Sequence, residues 1–347
     1  MFDRQTRLDS IDIFKFIGSY FVIAIHTNIF SSFSTGFNWM FVNIVARLAV
    51  YFYFVASAYL FFRGIEFCNG KITKSKENLQ KLKKYVVRTT LLYAVWTLIY
   101  LIIDLPKWYS GGYLTVKQFI GYGISCVLNT SYYHLWFLIS LIYAIPLLYF
   151  LLRFLSIKKV VVISVVVYLI GLLYGSYSFL FSMPGTSLWT MWGNCWVRLR
   201  TVVFNVIPIC SLALLCDKVR VNKKVIAALS LGFAVLYLAE GFILYRVSES
   251  TASSYNIMLL PSVFFLFLSI KQIDLKVNNY RFFRKMSTLI YCMHPMMMAL
   301  LGYIMDTSKL NSLVYFTVVF GIVTLMGTVL LSLYHRFSKL KWIKYLM

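Results

Sequence analysis

Charge is scarce in this sequence. Of 347 residues only 13% are Asp, Glu, Lys or Arg, while 61% are hydrophobic. A soluble globular chain carries about 45–50% apolar and about 25% charged residues, so an ordinary water-soluble domain is excluded. Acid is scarcer still: 11 acidic residues face 34 basic ones, for a net charge of +23, and there are only four histidines. The six cysteines (Cys68, Cys126, Cys195, Cys210, Cys216 and Cys292) are scattered without a C-x-x-C pair. That spacing argues against a metal centre and defines no disulfide framework. Cys126 and Cys195 both fall in segments expected on the outer side, which leaves one bridge open there. Long stretches of alternating apolar and polar residues, the mark of a transmembrane barrel, are also missing.

What is present instead is a series of apolar runs of roughly 17–24 residues, each about long enough to cross a ~30 Å hydrocarbon core. The expected fold is an all-α polytopic transmembrane bundle. Ten spans are expected, at about 11–30, 42–63, 85–104, 134–153, 159–181, 199–216, 225–246, 256–271, 286–305 and 312–335. With both termini on one side, 27 of the 34 basic residues fall on that side. The positive-inside rule makes it the cytoplasm. The charge therefore reads as topology, and no nucleic-acid partner is expected.

The chain, 1–347, reads as a single membrane-embedded domain with no soluble domain attached. Its first run is too long, and too rich in Asp, Lys and His, to be a cleaved signal core. The tail "RFSKLKWIKYLM" is a short basic amphipathic stretch expected on the inner membrane surface. In the inner segment after Arg63, the part from Ser75 reads as a basic helix leading into the third span. The outer segment 105–133 is broken by glycine and reads as interfacial, or as re-entrant and packed in protein. Residues 182–198 hold three tryptophans, which suit either an aromatic belt at headgroup level or a platform for a sugar or lipid-linked acceptor.

Ionisable residues inside spans are functional candidates by default. Lys15 and His26 stand eleven residues apart, within about 20° of three full helical turns and about 16 Å along the axis. Both therefore lie on one face of the first span, Lys15 near the inner interface and His26 in the outer half. Arg47, His134 and Trp136 fall at outer span ends, as do Arg198 and Arg200. His294 lies within the ninth span, directly before Pro295, whose missing N–H loosens the helix and frees carbonyls for other partners.

Four segments in order, "LDSIDIFKFIGSYFVIAIHT", "ARLAVYFYFVASAYLFF", "HLWFL" and "STLIYCMHP", resemble the acyltransferase-3 family of integral membrane acyltransferases, best known for O-acylating bacterial surface polysaccharides. The resemblance extends over nearly the whole chain. Its signature, a basic residue, ten intervening residues and a histidine implicated in acyl transfer, falls on Lys15 and His26. The resemblance implies transfer of a short acyl group, acetyl being the simplest, from cytosolic acyl-CoA to a hydroxyl of a cell-surface glycan or lipid-linked acceptor. It further implies residence in the bacterial cytoplasmic membrane. Catalysis would rest on His26 and Lys15, with Arg47, His134, Trp136, Arg198, Arg200 and His294 lining the substrate path and no metal required. Lys15 stands where the family typically has Arg, which keeps the charge and loses the bidentate fork. Ala58 replaces the usual glycine of a Ser-Gly-Tyr, and Tyr51 stands where a proline often occurs. The family also holds membrane domains attached to amino-acid racemases of glycopeptide resistance, thought to move serine across the membrane. "RLAV" and "FYFVASAYLF" resemble that branch, so a transporter of a small polar solute such as serine is the alternative.

Overall fold

In a computed structural model of the chain, helices follow one another almost without interruption. The structure describes residues 8–180, 199, 201–249, 252–275 and 279–347. The tryptophan-rich segment 182–198, Cys195, Arg198 and Arg200 lie outside them. Helix α1 spans Asp9–Thr27 and α2 Thr35–Phe62, with π turns over Phe41–Ala46. A two-residue hairpin, β1 (Phe67–Cys68) and β2 (Lys71–Ile72), precedes α3 (Lys76–Ser110). There follow α4 (Val116–Leu128), α5 (Trp136–Phe154), α6 (Ile157–Leu173), α7 (Val202–Leu215) and α8 (Lys223–Val247). Helices α9 (Leu259–Lys271), α10 (Tyr280–Ile304) and α11 (Ser312–Arg336) complete the set, before a 3₁₀ tail over Ser338–Leu346.

Each of the ten expected spans overlaps a helix among the described residues. Seven of these (α1, α2, α3, α5, α8, α10 and α11) are long and apolar enough to cross a membrane. Helices α6, α7 and α9 are apolar but shorter. Leu231 on α8 and Ile304 on α10 stand 70% and 78% exposed, as suits helices whose outer faces meet lipid. One expectation changes. Helix α4 has no buried residue, so the middle of segment 105–133 is not packed in protein. The tail touches the rest of the second unit: Ile343 and Leu346 are buried, and Trp96 Nε1 donates to the Leu346 carbonyl at 3.2 Å.

The described residues form two compact units, one chiefly of residues 51–90 and 137–274, the other of 9–50, 91–136 and 275–347. In the first, the "CNGK" tetrapeptide makes the hairpin turn, with Asn69 and Gly70 at φ 50° and 74°, the two positive φ values a type I′ turn requires. The Gly70 carbonyl accepts from Ile157 N at 2.9 Å, fixing the hairpin tip to the start of α6. Asn78 is fully buried. Its Oδ1 accepts from Glu66 N, and its Nδ2 donates to the carbonyls of Glu66 and Thr73 and to Thr73 Oγ1, all at 3.0–3.2 Å. Ser75 Oγ accepts from Asn78 N at 3.1 Å, capping α3. Helices α6 and α7 approach so closely that a Cβ on Gly171 would come within 2.8 Å of Phe204 Cβ.

The first unit also buries a polar turn ahead of α9. Tyr237 donates to the Ser254 carbonyl at 2.9 Å, Tyr168 to the Asn256 carbonyl at 2.7 Å, and Tyr51 to Ser254 Oγ. Glu240 accepts from Ile257 N and Met258 N at 2.8 and 2.7 Å, placing a carboxylate at the positive end of α9. In the second unit α1 packs along α10 and α11. There the carboxylate of Asp12, 4% exposed, receives two prongs of Arg284 at 2.8–3.1 Å. Ser287 Oγ donates to the Lys15 carbonyl at 3.1 Å.

Replacing Asn78 by Ala removes the partner of the Glu66 amide and of the Thr73 carbonyl. The expected loss is about 1–3 kcal/mol, read as a lowered thermal unfolding midpoint in detergent. An exposed change further along α3, Lys83→Gln, is expected to leave that midpoint unchanged.

Candidate functional site

His26 sits in the last turn of α1. The helix stops immediately after it because Thr27 Oγ1 bonds back to the Ile23 carbonyl at 3.0 Å and Asn28 turns into the left-handed region, φ 49°. Asn is among the few residues that adopt this conformation readily. Asn38 of α2 then donates to Asn28 Oδ1 at 3.3 Å and accepts from Phe30 N at 3.1 Å. These bonds fix the turn that carries His26. The π turns of α2 end at Arg47, whose guanidinium lies within electrostatic reach of His26. A π segment shifts every following side chain around the helix axis and often marks functional sites.

The second histidine comes from α10. Pro295 cannot donate to its i−4 carbonyl, yet α10 runs on to Ile304. The hydroxyl of Tyr100, on α3, repairs the next rung. It donates to the Cys292 carbonyl at 2.7 Å and accepts from Met296 N at 3.1 Å, two groups that would otherwise bond each other in the i→i−4 ladder. Tyr100 is fully buried and stacks on Tyr132 with ring centroids 4.1 Å apart. One turn back, His294 Nδ1 bonds the Ile290 carbonyl at 3.1 Å. Its Nε2 is thereby turned away from its own helix.

The third histidine, His134, follows the aromatic pair Tyr132–Tyr133 in the turn before α5. Tyr291 of α10 donates to its backbone carbonyl. The His26 and His294 rings stack at 5.1 Å, His134 meets His294 edge-on at 5.4 Å, and Tyr133 lies 4.8 Å from His26. Tyr100 approaches the His134 ring at 5.0 Å. His134 and His294 are 1% and 0% exposed, whereas His26 is half-buried. Both ring nitrogens of His134, Nε2 of His294 and Nε of Arg47 are buried without a hydrogen-bond partner among the described residues. The Cys292 carbonyl, which accepts from Tyr100, also faces His134. Orphaned buried nitrogens are costly in a folded protein. Four of them in one unit, around an accessible imidazole, make a set of groups suited to a polar reactant.

Of the residues singled out in the sequence, His26, Arg47, His134 and His294 converge. Trp136 opens α5 and is half-buried two residues from His134. Lys15 shares the unbroken helix with His26 and stands about 16 Å below it. Arg198 and Arg200 are outside the described residues. Tyr100, Tyr132, Tyr133 and Tyr291 were not singled out. Pro295 announced freed backbone groups without saying which helix answers them, and "SYYH" gave no sign that its tyrosines surround the imidazole. No group of three His, Cys, Asp or Glu side chains among the described residues is arranged to hold a metal ion.

A family model for an acyltransferase domain, of the acyltransferase-3 type, matches residues 8–334 and so runs across both units. Two relatives from Enterococcus faecalis bear the name amino-acid racemase. One is 28% identical over 94% of this chain and 46% of its own length; the other is 32% identical over 48% of this chain and 22% of its own. The chain thus spans less than half the length of either relative. No solved structure matches it.

Tyr100→Phe removes the bridge across α10 while keeping the ring that packs on Tyr132. Hydrogen exchange is expected to speed up at the peptide containing Met296, with α11 unaffected and global stability lowered by about 1–2 kcal/mol. Unchanged exchange there would mean that the helix closes its own gap.

Proposed function

The chain belongs to the acyltransferase-3 family, and on that premise we propose that it is a membrane O-acyltransferase. In this reading it moves a short acyl group, acetyl being the simplest, from cytosolic acyl-CoA to a hydroxyl of a cell-surface glycan or lipid-linked acceptor. The observation that carries the reading is the convergence of His26, His134 and His294 with Arg47, four of whose buried nitrogens lack partners. It takes the chain as one domain of ten spans in the bacterial cytoplasmic membrane, with both termini inside. The distribution of Lys and Arg supports that topology.

Imidazole suits the chemistry because its ordinary pKa of about 6.5 allows it to take and return a proton near neutrality. His26, the accessible member of the three, accepts the proton of the acceptor hydroxyl. The oxygen attacks the thioester carbonyl, and the tetrahedral intermediate carries its negative charge on the former carbonyl oxygen. The Arg47 guanidinium and an N–H of His134 are the donors suited to that oxyanion. Collapse breaks the carbon–sulfur bond, and the proton held by His26 passes to the departing thiolate. Lys15, toward the inner end of α1, supplies positive charge where a phosphate-bearing donor enters. Trp136 is assigned to the outer, acceptor side; Arg198 and Arg200 are carried as substrate-binding candidates on the sequence alone.

A second reading is favoured by the relatives named amino-acid racemase: a carrier for a small polar solute such as serine, with the histidine cluster as its polar path. Purified protein in liposomes separates the two. Labelled acetyl-CoA yields labelled product or protein under the first reading, and labelled serine shows counterflow under the second.

His26→Ala is expected to leave a folded, inserted protein with transfer reduced about 10²-fold or more. His26→Gln is expected to be nearly as inactive, since an amide hydrogen-bonds but shuttles no proton. Near-normal turnover in the Gln variant would overturn the chemical role. Lys15→Arg is expected to retain activity, and Lys15→Ala to raise KM for the donor with a smaller change in kcat. Equal losses in both would contradict a role through charge alone.

A further inference from the structure

Beneath the β1–β2 hairpin of the first unit lies a cavity of about 190 Å³. Tyr59 and Phe62 of α2 and Phe67 of the hairpin give it an aromatic wall. Arg63, at the end of α2, and Lys218, just beyond α7, supply cations, and Asp217 supplies a carboxylate. The carboxylate is already answered: Lys271 forms an ion pair with it, and Tyr59 donates to Asp217 Oδ1 at 2.8 Å. Lys271 also bonds the Cys216 carbonyl at 3.2 Å and lies over the Tyr59 ring at 4.9 Å, so the negative end of α7 is covered as well. Opposite it, the start of α6 lines the cavity through Ile157, and its N-cap Ser156 makes no side-chain cap.

The walls are rigid rather than a loose loop. The Asn-Gly turn is fixed to Ile157, and Asn78 clamps both ends of the hairpin to α3. Flat aromatic rings beside two cations suit a ligand with an apolar or planar part and a phosphate. Arg63 offers five donors, enough to serve a phosphate together with other partners.

We propose that this cavity binds a phosphate-bearing ligand, its phosphate on Arg63 and Lys218 and its apolar part against Tyr59, Phe62 and Phe67. A soluble nucleotide and a lipid headgroup both carry such a phosphate. The site stands independently of acyl transfer, and its probes carry no acyl group. Full-length protein in nanodiscs of phosphatidylcholine is titrated calorimetrically with ADP and with inorganic pyrophosphate. A parallel sample in mixed phosphatidylcholine and phosphatidic acid is scored by native mass spectrometry for retained lipid. Saturable binding of ADP or pyrophosphate assigns the site to a soluble ligand; retention of phosphatidic acid alone assigns it to a headgroup. In either case Arg63→Gln with Lys218→Gln is expected to weaken binding about tenfold or more. Asp217→Asn is expected to tighten it, because Lys271 then turns its charge to the ligand. The opposite sign of the two variants separates loss of charge from loss of fold. Wild-type protein that takes up none of the three probes would overturn the proposal, as would binding that is indifferent to both variants.

Discussion

Hydrocarbon offers no hydrogen bonds, so a chain this apolar must satisfy its backbone polar groups from within. Much of the described structure follows from that one constraint. Where Pro295 interrupts the ladder of α10, a tyrosine hydroxyl from α3 engages the carbonyl and amide of the adjacent rung. Where α9 begins without a capping side chain of its own, Glu240 reaches across from α8. Where the segment before α9 runs irregularly, Tyr168 and Tyr237 hold its carbonyls. Twenty-six tyrosines against eleven acids is the composition of a protein that prefers neutral donors to charges for this task.

The histidine cluster departs from the rule, and the proposed function rests on that departure. Elsewhere in the second unit buried polar groups are paired, as with Asp12 on Arg284 or Tyr93 on the Cys126 carbonyl. Around His26 the pairing stops. His134 is buried with neither ring nitrogen engaged, although its backbone carbonyl is held by Tyr291. The surroundings fix where that ring stands and leave its chemistry unspent, the condition a preorganised site requires.

The helices were legible because length and apolarity are local properties of the sequence, and each expected run overlaps a helix. The shared face of Lys15 and His26 was legible for the same reason, since α1 is regular between them. The convergence of His26 with His134 and His294 was not, because it depends on how α1, α10 and the turn before α5 are brought together, which no periodicity reports. The π turns before Arg47 carry no sequence signature. The hairpin did carry one, the Asn69–Gly70 pair, but its flanking strands are two residues each, too short to show alternation. Burial of the tail was masked by its lysines, which disguise the role of Ile343 and Leu346.

The straight run of α1 sets a length as well as a face. Lys15 and His26 are separated by about 16 Å, roughly half the ~30 Å thickness of the hydrocarbon core. A compact reagent docked at the lower residue would leave its reactive carbon far from the upper one. A reactant that bridges the two must carry its transferable group on a slender, extensible arm, with its charged body left behind at the aqueous end. Selection among donors would then rest on tether length: a rigid or short-armed thioester with the same acyl group would bind at Lys15 and fail to deliver it.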